Sequence, residues 1–289
     1  MKIFIYILFA ILLCPVSLRA EPPIYVAGIE LNKEIYDKMV SEKGGNPLEI
    51  HDYSSPHASR PAIALIIMQQ ALSLGGMNAK FEFIPYPNYT RCISELKKGR
   101  VDILATDMWE DQFDNTVYKT SPFINKGEFE KGIYACDYSE LLKKTPNLSD
   151  LIQHVPIVGM SWELDRKTLR RMGNKIIQTA PTYPLIFEML ARKRADYTIL
   201  EFPKDINSSY LNTCGLQLVK GVKIKFPYSR HFMISKKRKR GKKIYEALEK
   251  GLQIMRNNGT LYRALHQANI INDRVRDWKI IWPEKPQNN

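Results

Sequence analysis

Two stretches of the chain repeat one local pattern. Leu96-Lys97-Lys98-Gly99-Arg100-Val101-Asp102-Ile103-Leu104-Ala105 and Leu190-Ala191-Arg192-Lys193-Arg194-Ala195-Asp196-Tyr197-Thr198-Ile199-Leu200 each read as the end of an amphipathic helix, a basic turn, an Asp and a short apolar strand. Apolar strands without alternation are buried on both faces, which is the mark of a parallel sheet covered by helices. The same join occurring twice predicts two α/β lobes. Sheets of this kind bind ligands outside the carboxyl ends of their strands, so two lobes facing each other make a cleft.

The first twenty residues read as an export signal rather than part of the fold. Lys2 supplies the positive start, Ile3 to Leu13 the apolar run, and Leu18-Arg19-Ala20 a cleavage site before Glu21. The run is short of the ~20 apolar residues that a spanning helix needs. Leu13 before Cys14 does not suit a lipoprotein site, which takes a small residue there. The expected localisation is periplasmic.

Removal of this segment takes away Lys2 and Arg19, leaving 41 basic against 30 acidic residues and a net charge of +11. Such a field attracts nucleic acid, anionic lipid or acidic solutes without choosing among them. The densest run, Lys236-Lys237-Arg238-Lys239-Arg240-Gly241-Lys242-Lys243, lies between a strand and a helix and reads as a solvated loop, with an anionic membrane surface as the alternative. No nucleic-acid partner is expected. Cys92, Cys136 and Cys214 remain after cleavage, an odd number without metal-ligand spacing. One pair and one thiol fit an oxidising compartment, and the pairing stays open. The five histidines are scattered. Neither a metal site nor a nucleotide loop is present, so no cofactor is expected.

Along the chain, Ile24 to Gly28 reads as a first strand, followed by a polar stretch through Ser59 that reads as a long loop. Ser59 then caps a helix with Pro61 in its first turn, running to Gly75-Gly76. A strand at Phe81 and Phe83, a helix from Tyr89 to Lys98 and a strand from Val101 to Ala105 complete the first set. The second set comprises a strand 155–160, a helix 164–172, a strand 175–179, a helix 183–194 and a strand 197–200. Phe232-Met233-Ile234, a long helix from Lys243 to Asn257 and a short one from Leu261 to Ala268 follow.

The order of these motifs resembles the family 3 periplasmic solute-binding proteins, the amino-acid-type binding components of import systems. Tyr89-Thr90-Arg91 stands where one branch has Trp-x-Arg, and Leu96 to Asp102 matches the family's helix-Gly-basic-x-Asp join. Ser121-Pro122-Phe123 resembles its Ser-x-Pro-Tyr approach to the hinge, and Asn258-Gly259-Thr260 the ending of its closing helix. The resemblance implies a two-lobed, type II periplasmic-binding-protein-like α/β fold. Lobe one would comprise residues 21–126 and 229–289 and lobe two residues 127–228, with crossings near Glu128 to Tyr134 and Tyr228 to Ile234. Its function would be capture of a small polar solute, amino-acid-like or amine-containing, by a monomer that serves an ABC permease or a sensor.

One position departs from the family. Laid on its motif without a gap, the arginine that clamps an amino acid's carboxylate falls on Phe113, while the acidic residue that takes the ammonium falls on Glu201. This combination favours a cationic or hydrogen-bond-donating solute held by Glu201 and stacked on Trp109 or Tyr86. Strand ends supply the candidate ligand-binding residues Glu30, Tyr86, Tyr89, Thr106, Trp109 and Glu201, with Arg230 from the return crossing and Arg91 from the family branch. The aromatics equally suit core packing, and Arg91 a surface ion pair. Ser161 in Gly159-Met160-Ser161-Trp162-Glu163 lacks the second Gly of a nucleophile elbow, which argues against an enzyme. The alternatives are a dehydratase-like enzyme on the same fold, or an exported basic protein that binds membrane or polyanion.

Overall fold

The computed structural model describes residues 22–78, 80–202 and 214–281; the expected export signal lies outside them. In chain order the first lobe contributes β1 (Ile24–Gly28), α1 (Glu30–Glu42), α2 (Arg60–Leu74), β2 (Phe81–Pro85), α3 (Tyr89–Lys97), β3 (Ile103–Leu104), β4 (Met108–Trp109) and β5 (Val117–Lys119). The second lobe follows with β6 (Glu130–Ala135), α4 (Leu148–Leu151), β7 (Pro156–Gly159), α5 (Glu163–Met172), β8 (Gln178–Ala180), α6 (Tyr183–Ala191), β9 (Tyr197–Leu200) and β10 (Gln217–Lys225). The chain ends with β11 (Arg230–His231), β12 (Met233–Ser235), α7 (Gly241–Asn257), α8 (Thr260–Gln267) and β13 (Lys279–Ile280).

Two sheets form the lobes, in the orders β2-β1-β3-β12-β5 and β13-β10-β6-β9-β7-β8. Both are mixed rather than purely parallel. Strands joined through helices run parallel (β1 with β2 and β3, β7 with β8 and β9), whereas β6 pairs antiparallel with β9 and β10, and β12 with β3 and β5; β10 also takes β13 parallel on its other edge. A two-stranded ribbon of β4 and β11 sits between the sheets, with Arg230 opposite Trp109.

The repeated motif has one structural job in both lobes. At its turn Gly99 and Lys193 occupy matching positions with φ of 80° and 56°, which closes each helix with a left-handed residue. Three residues on, the Asp carboxylate accepts the backbone N–H that opens the neighbouring parallel strand: Asp102 from Tyr25 at 2.9 Å and Asp196 from Val155 at 2.7 Å. The return bonds, Asp102 N–H to Tyr25 C=O and Asp196 N–H to Val155 C=O, are both 2.8 Å. A register error would strand this carboxylate, so the Asp fixes the strand pairing on which each lobe is built.

Helix α2 explains why lobe one needs the C-terminal helices. Ten of its residues are buried, on all faces, so it requires cover on both sides. Helix α7 supplies it at very close approach: a β-carbon on Gly251 would lie 1.8 Å from the Ala71 carbonyl oxygen, and one on Gly75 2.0 Å from that of Ala247.

Several expectations are corrected. The first part of the polar stretch after β1 is helix α1, whose buried face consists of only Met39 and Val40, too little to give a helical period. Residues 229–289 do not all lie in lobe one, because β13 joins the lobe-two sheet beside β10. The strand placed at 175–179 is β8, Gln178–Ala180. The basic run is partly structural: Arg238 pairs with the buried Asp102 at 2.7 Å and Arg240 donates to the Pro22 carbonyl at 2.6 Å, while Lys236 and Lys237 are exposed. Cys136 and Cys214 form the disulfide, tying the end of β6 to the approach to β10, and Cys92 is a buried free thiol. Among the described residues no helix is long and apolar enough to cross a membrane, and no group of three metal-ligating side chains occurs.

Candidate functional site

The strand ends of the two lobes meet at one cluster of charges. Arg60 opens α2 immediately after the N-cap Ser59, whose hydroxyl accepts the Ala62 N–H. A cation in the first turn of a helix faces the positive end of the macrodipole, an unfavourable placement that needs compensation nearby. Asp107 provides it from the loop after β3: Arg60 donates to its carboxylate at 2.5 Å and to the Thr106 hydroxyl at 3.1 Å. The third partner comes from the other lobe. Arg60 Nε donates to the Glu201 carboxylate at 2.9 Å, just past the end of β9.

Arg230 enters the same cluster from the returning ribbon. Its Nε bonds the second oxygen of Asp107, and it donates to the Asp107 carbonyl at 3.0 Å. Its guanidinium lies 4.1 Å over the Trp109 ring and 5.1 Å from that of Phe129. Trp109 in turn stacks on Phe226 at 5.4 Å and meets Phe129 edge-on at 5.2 Å. These rings come from lobe one and from both crossings. They form an apolar floor beneath the charges, excluding water and strengthening the electrostatics above it.

Burial alone would push the Asp107 carboxyl up, but the guanidinium of Arg230, and then that of Arg60, outweighs it and holds the group at about 2. Burial also disfavours the Arg60 cation, and Asp107 and Glu201 more than offset this, so its pKa is raised. Arg230 moves the other way, through burial and the like charge of Arg60. Two guanidiniums thus share one buried carboxylate, and Glu201 brings the cluster to charge balance. Since Glu201 belongs to lobe two, separating the lobes leaves the lobe-one cluster with an excess positive charge.

The structure gathers Thr106, Trp109, Glu201 and Arg230 around this cluster. Tyr89 stands beside it: its hydroxyl accepts from Asn32, and burial pushes its phenol well above the usual range. Glu30 is exposed at the start of α1, and Tyr86 follows β2 half-buried, its N–H bonded to the Gly28 carbonyl at 2.8 Å. Arg91 is elsewhere. It lies on the outer face of α3 with half its side chain exposed, paired with Glu95 at 3.1 Å. The stacking expectation also changes, because the Trp109 face is covered by Arg230.

At Phe113 there is no guanidinium; its ring packs edge-on against His231 at 5.8 Å. Arg60 supplies the cation from a different element, one that the local pattern of Ser59-Arg60-Pro61 marks only as a helix start. The clue was present: a basic residue in a first turn that contains no acid. On the lobe-two wall Lys131 pairs with the buried Asp165 at 2.5 Å and lies 4.8 Å over the Trp162 ring, a further feature the spacing did not disclose.

No protein-family model and no curated protein matches this chain. Solved structures do. One is an arginine 3rd transport system periplasmic binding protein from Legionella pneumophila, with a TM-score of 0.59 and 17% identity over 84% of this chain and 98% of that one. A second is an amino acid ABC transporter substrate-binding protein from Streptococcus pneumoniae bound to L-arginine, at 0.54 and 14% over 72% and 83%. A third is the periplasmic VFT2 domain of BvgS from Bordetella pertussis, at 0.53 and 14% over 71% and 82%. The fold is therefore the two-lobed one of periplasmic amino-acid-binding proteins.

Proposed function

We propose that this chain is a solute-binding protein that takes a zwitterionic, amino-acid-like solute between its lobes, with the solute carboxylate on Arg60 and its ammonium on Glu201. The observation that carries the reading is the Arg60–Glu201 pair itself, 2.9 Å across the cleft. Its two ends carry the charges complementary to a zwitterion's two groups. A solute entering the gap exchanges one ion pair for two, and the guanidinium suits the planar carboxylate. Asp107 and Thr106 hold that guanidinium in place, so little ordering remains to be done on binding. Contacts to both lobes favour the closed form.

The names of the structural neighbours support binding rather than catalysis. The reading of residues 1–20 as an export signal supports a periplasmic receptor, and an ABC permease or a sensor is the expected partner. The alternative reading as a polyanion-binding surface is weakened by the use of Arg238 and Arg240 as internal staples.

The test is a thermal-shift screen of the chain lacking residues 1–20 against the L-amino acids, followed by calorimetry on Arg60→Met and Glu201→Gln. A true ligand at 100 times its Kd adds about 2.7 kcal/mol of stability. Both variants are expected to bind it at least about tenfold more weakly, each having lost a charge-assisted bond. Unchanged affinity in both variants, or no response to any zwitterion, refutes the proposal.

A further inference from the structure

A cavity lies at the hinge, between α8 and the end of β10, and shares no residue with the charged cluster around Arg60. Its volume is about 440 Å³, within the ~300–1,000 Å³ typical of small-molecule sites. Both lobes line it. Arg256, on α7, and Tyr262 and His266, on α8, come from lobe one; Lys225, at the end of β10, comes from lobe two.

The hydrogen-bonding capacity of its wall is unevenly spent. Each lining carboxylate already has partners: Glu128 accepts from the Asn125 N–H and side-chain amide, both at 3.0 Å; Glu130 pairs with Lys223 at 2.9 Å; and Asp273 is held by His266 at 2.7 Å and by Arg276. Lys223 has spent all three ammonium donors, on Glu130 and on the carbonyls of Val275 and Arg276. Donors are left over. The Lys225 side chain makes no ion pair or hydrogen bond among the described residues, and its stem passes 3.3 Å from where a β-carbon on Gly127 would stand. Arg256 uses one end nitrogen on the Ser121 hydroxyl and the other on the Pro122 carbonyl, leaving its Nε–H unspent.

We propose that this cavity is a second binding site, for a small molecule that carries a carboxylate on an apolar body. The carboxylate meets the surplus donors led by Lys225. The apolar body lies on Leu261, Leu265 and the stacked rings of Tyr262 and His266, which are 3.9 Å apart. The inference does not depend on what the cleft binds.

Calorimetric titration with sodium benzoate tests it, against sodium chloride at equal ionic strength, on the unaltered chain, Lys225→Met and Arg60→Met. The expected result is saturable binding that Lys225→Met weakens by about tenfold or more, as befits loss of a bond to a charged group, and that Arg60→Met leaves unchanged. Absence of saturable binding by the unaltered chain overturns the proposal. So does an unchanged affinity in Lys225→Met, and so does loss of binding in Arg60→Met, which would place benzoate in the cleft.

Discussion

Asp107→Asn is the sharpest test of the charge cluster, because it removes a charge and hardly any volume. The Asp107 side chain is fully buried and is bonded to both Arg60 and Arg230. Its pKa falls from 3.8 to about 2 on folding, which at 1.36 kcal/mol per unit is a contribution of roughly 2–3 kcal/mol. Removing one partner of a buried pair costs somewhat more, about 3–5 kcal/mol, because the remaining charges lose their compensation. Here the two guanidiniums would face each other with only Glu201 between them and neutrality. A loss of roughly 2–4 kcal/mol at pH 7 is therefore expected, or about 4–7 °C in Tm for a chain of this size. The folded-state pKa is depressed, so the contribution is complete above pH ~4 and is lost as pH falls toward ~2. Protonated Asp and Asn are then nearly equivalent, and other carboxylates titrate in both proteins and cancel from the difference. Scanning calorimetry of the two proteins between pH 7 and pH 2.5 reads the gap directly. A gap below about 1 kcal/mol at pH 7, or one that stays constant as pH falls, refutes the account of two guanidiniums held by one ionised carboxylate.

Two further outcomes follow from the fold. Gly251→Ala places a methyl group against the Ala71 carbonyl at the crossing of α2 and α7, and overpacking of this kind costs about 1–3 kcal/mol or more; a urea midpoint equal to that of the parent chain would contradict the close approach. In the repeated turn, Gly99→Ala introduces left-handed strain of roughly 1–2 kcal/mol, whereas Lys193→Gly, at the matching position, relieves it and is expected to be neutral or stabilising in thermal denaturation. Equal destabilisation by both changes would show that the two turns are not equivalent.

The two lobes were legible from sequence because their signals are local. Apolar runs, capping residues and the Gly-basic-x-Asp turn act within a few positions of one another, and the two Asp residues do the same work in space as they do in the pattern. Helix α1 escaped because so little of it is buried that its period is faint. Strand β6 coincides with the expected first crossing, which implied a connection rather than a strand, and β10, Gln217–Lys225, falls in a stretch between the second lobe's last expected strand and the return crossing to which the local pattern assigns no element; their backbones pair in the second sheet. Of the candidates taken from strand ends, Thr106, Trp109 and Glu201 lie around the Arg60 cluster together with Arg230 from the return crossing, whereas Glu30 and Tyr86, also past strand ends, do not join it. Arg91, taken from motif position alone, went to an outer helix face.

Tertiary structure alone decided the chemistry of the cleft. Arg60 lies 47 positions from Asp107 and 141 from Glu201, and no periodicity links residues so far apart. The alignment that left Phe113 without a charge therefore said nothing about where a guanidinium would come from. The same holds for Cys136 choosing Cys214 over Cys92, and for β13 leaving the first lobe to extend the second. Sequence patterns fix which elements form, because backbone hydrogen bonding and burial are periodic along the chain. Which charges meet depends on the through-space arrangement of those elements, and only the folded chain supplies it.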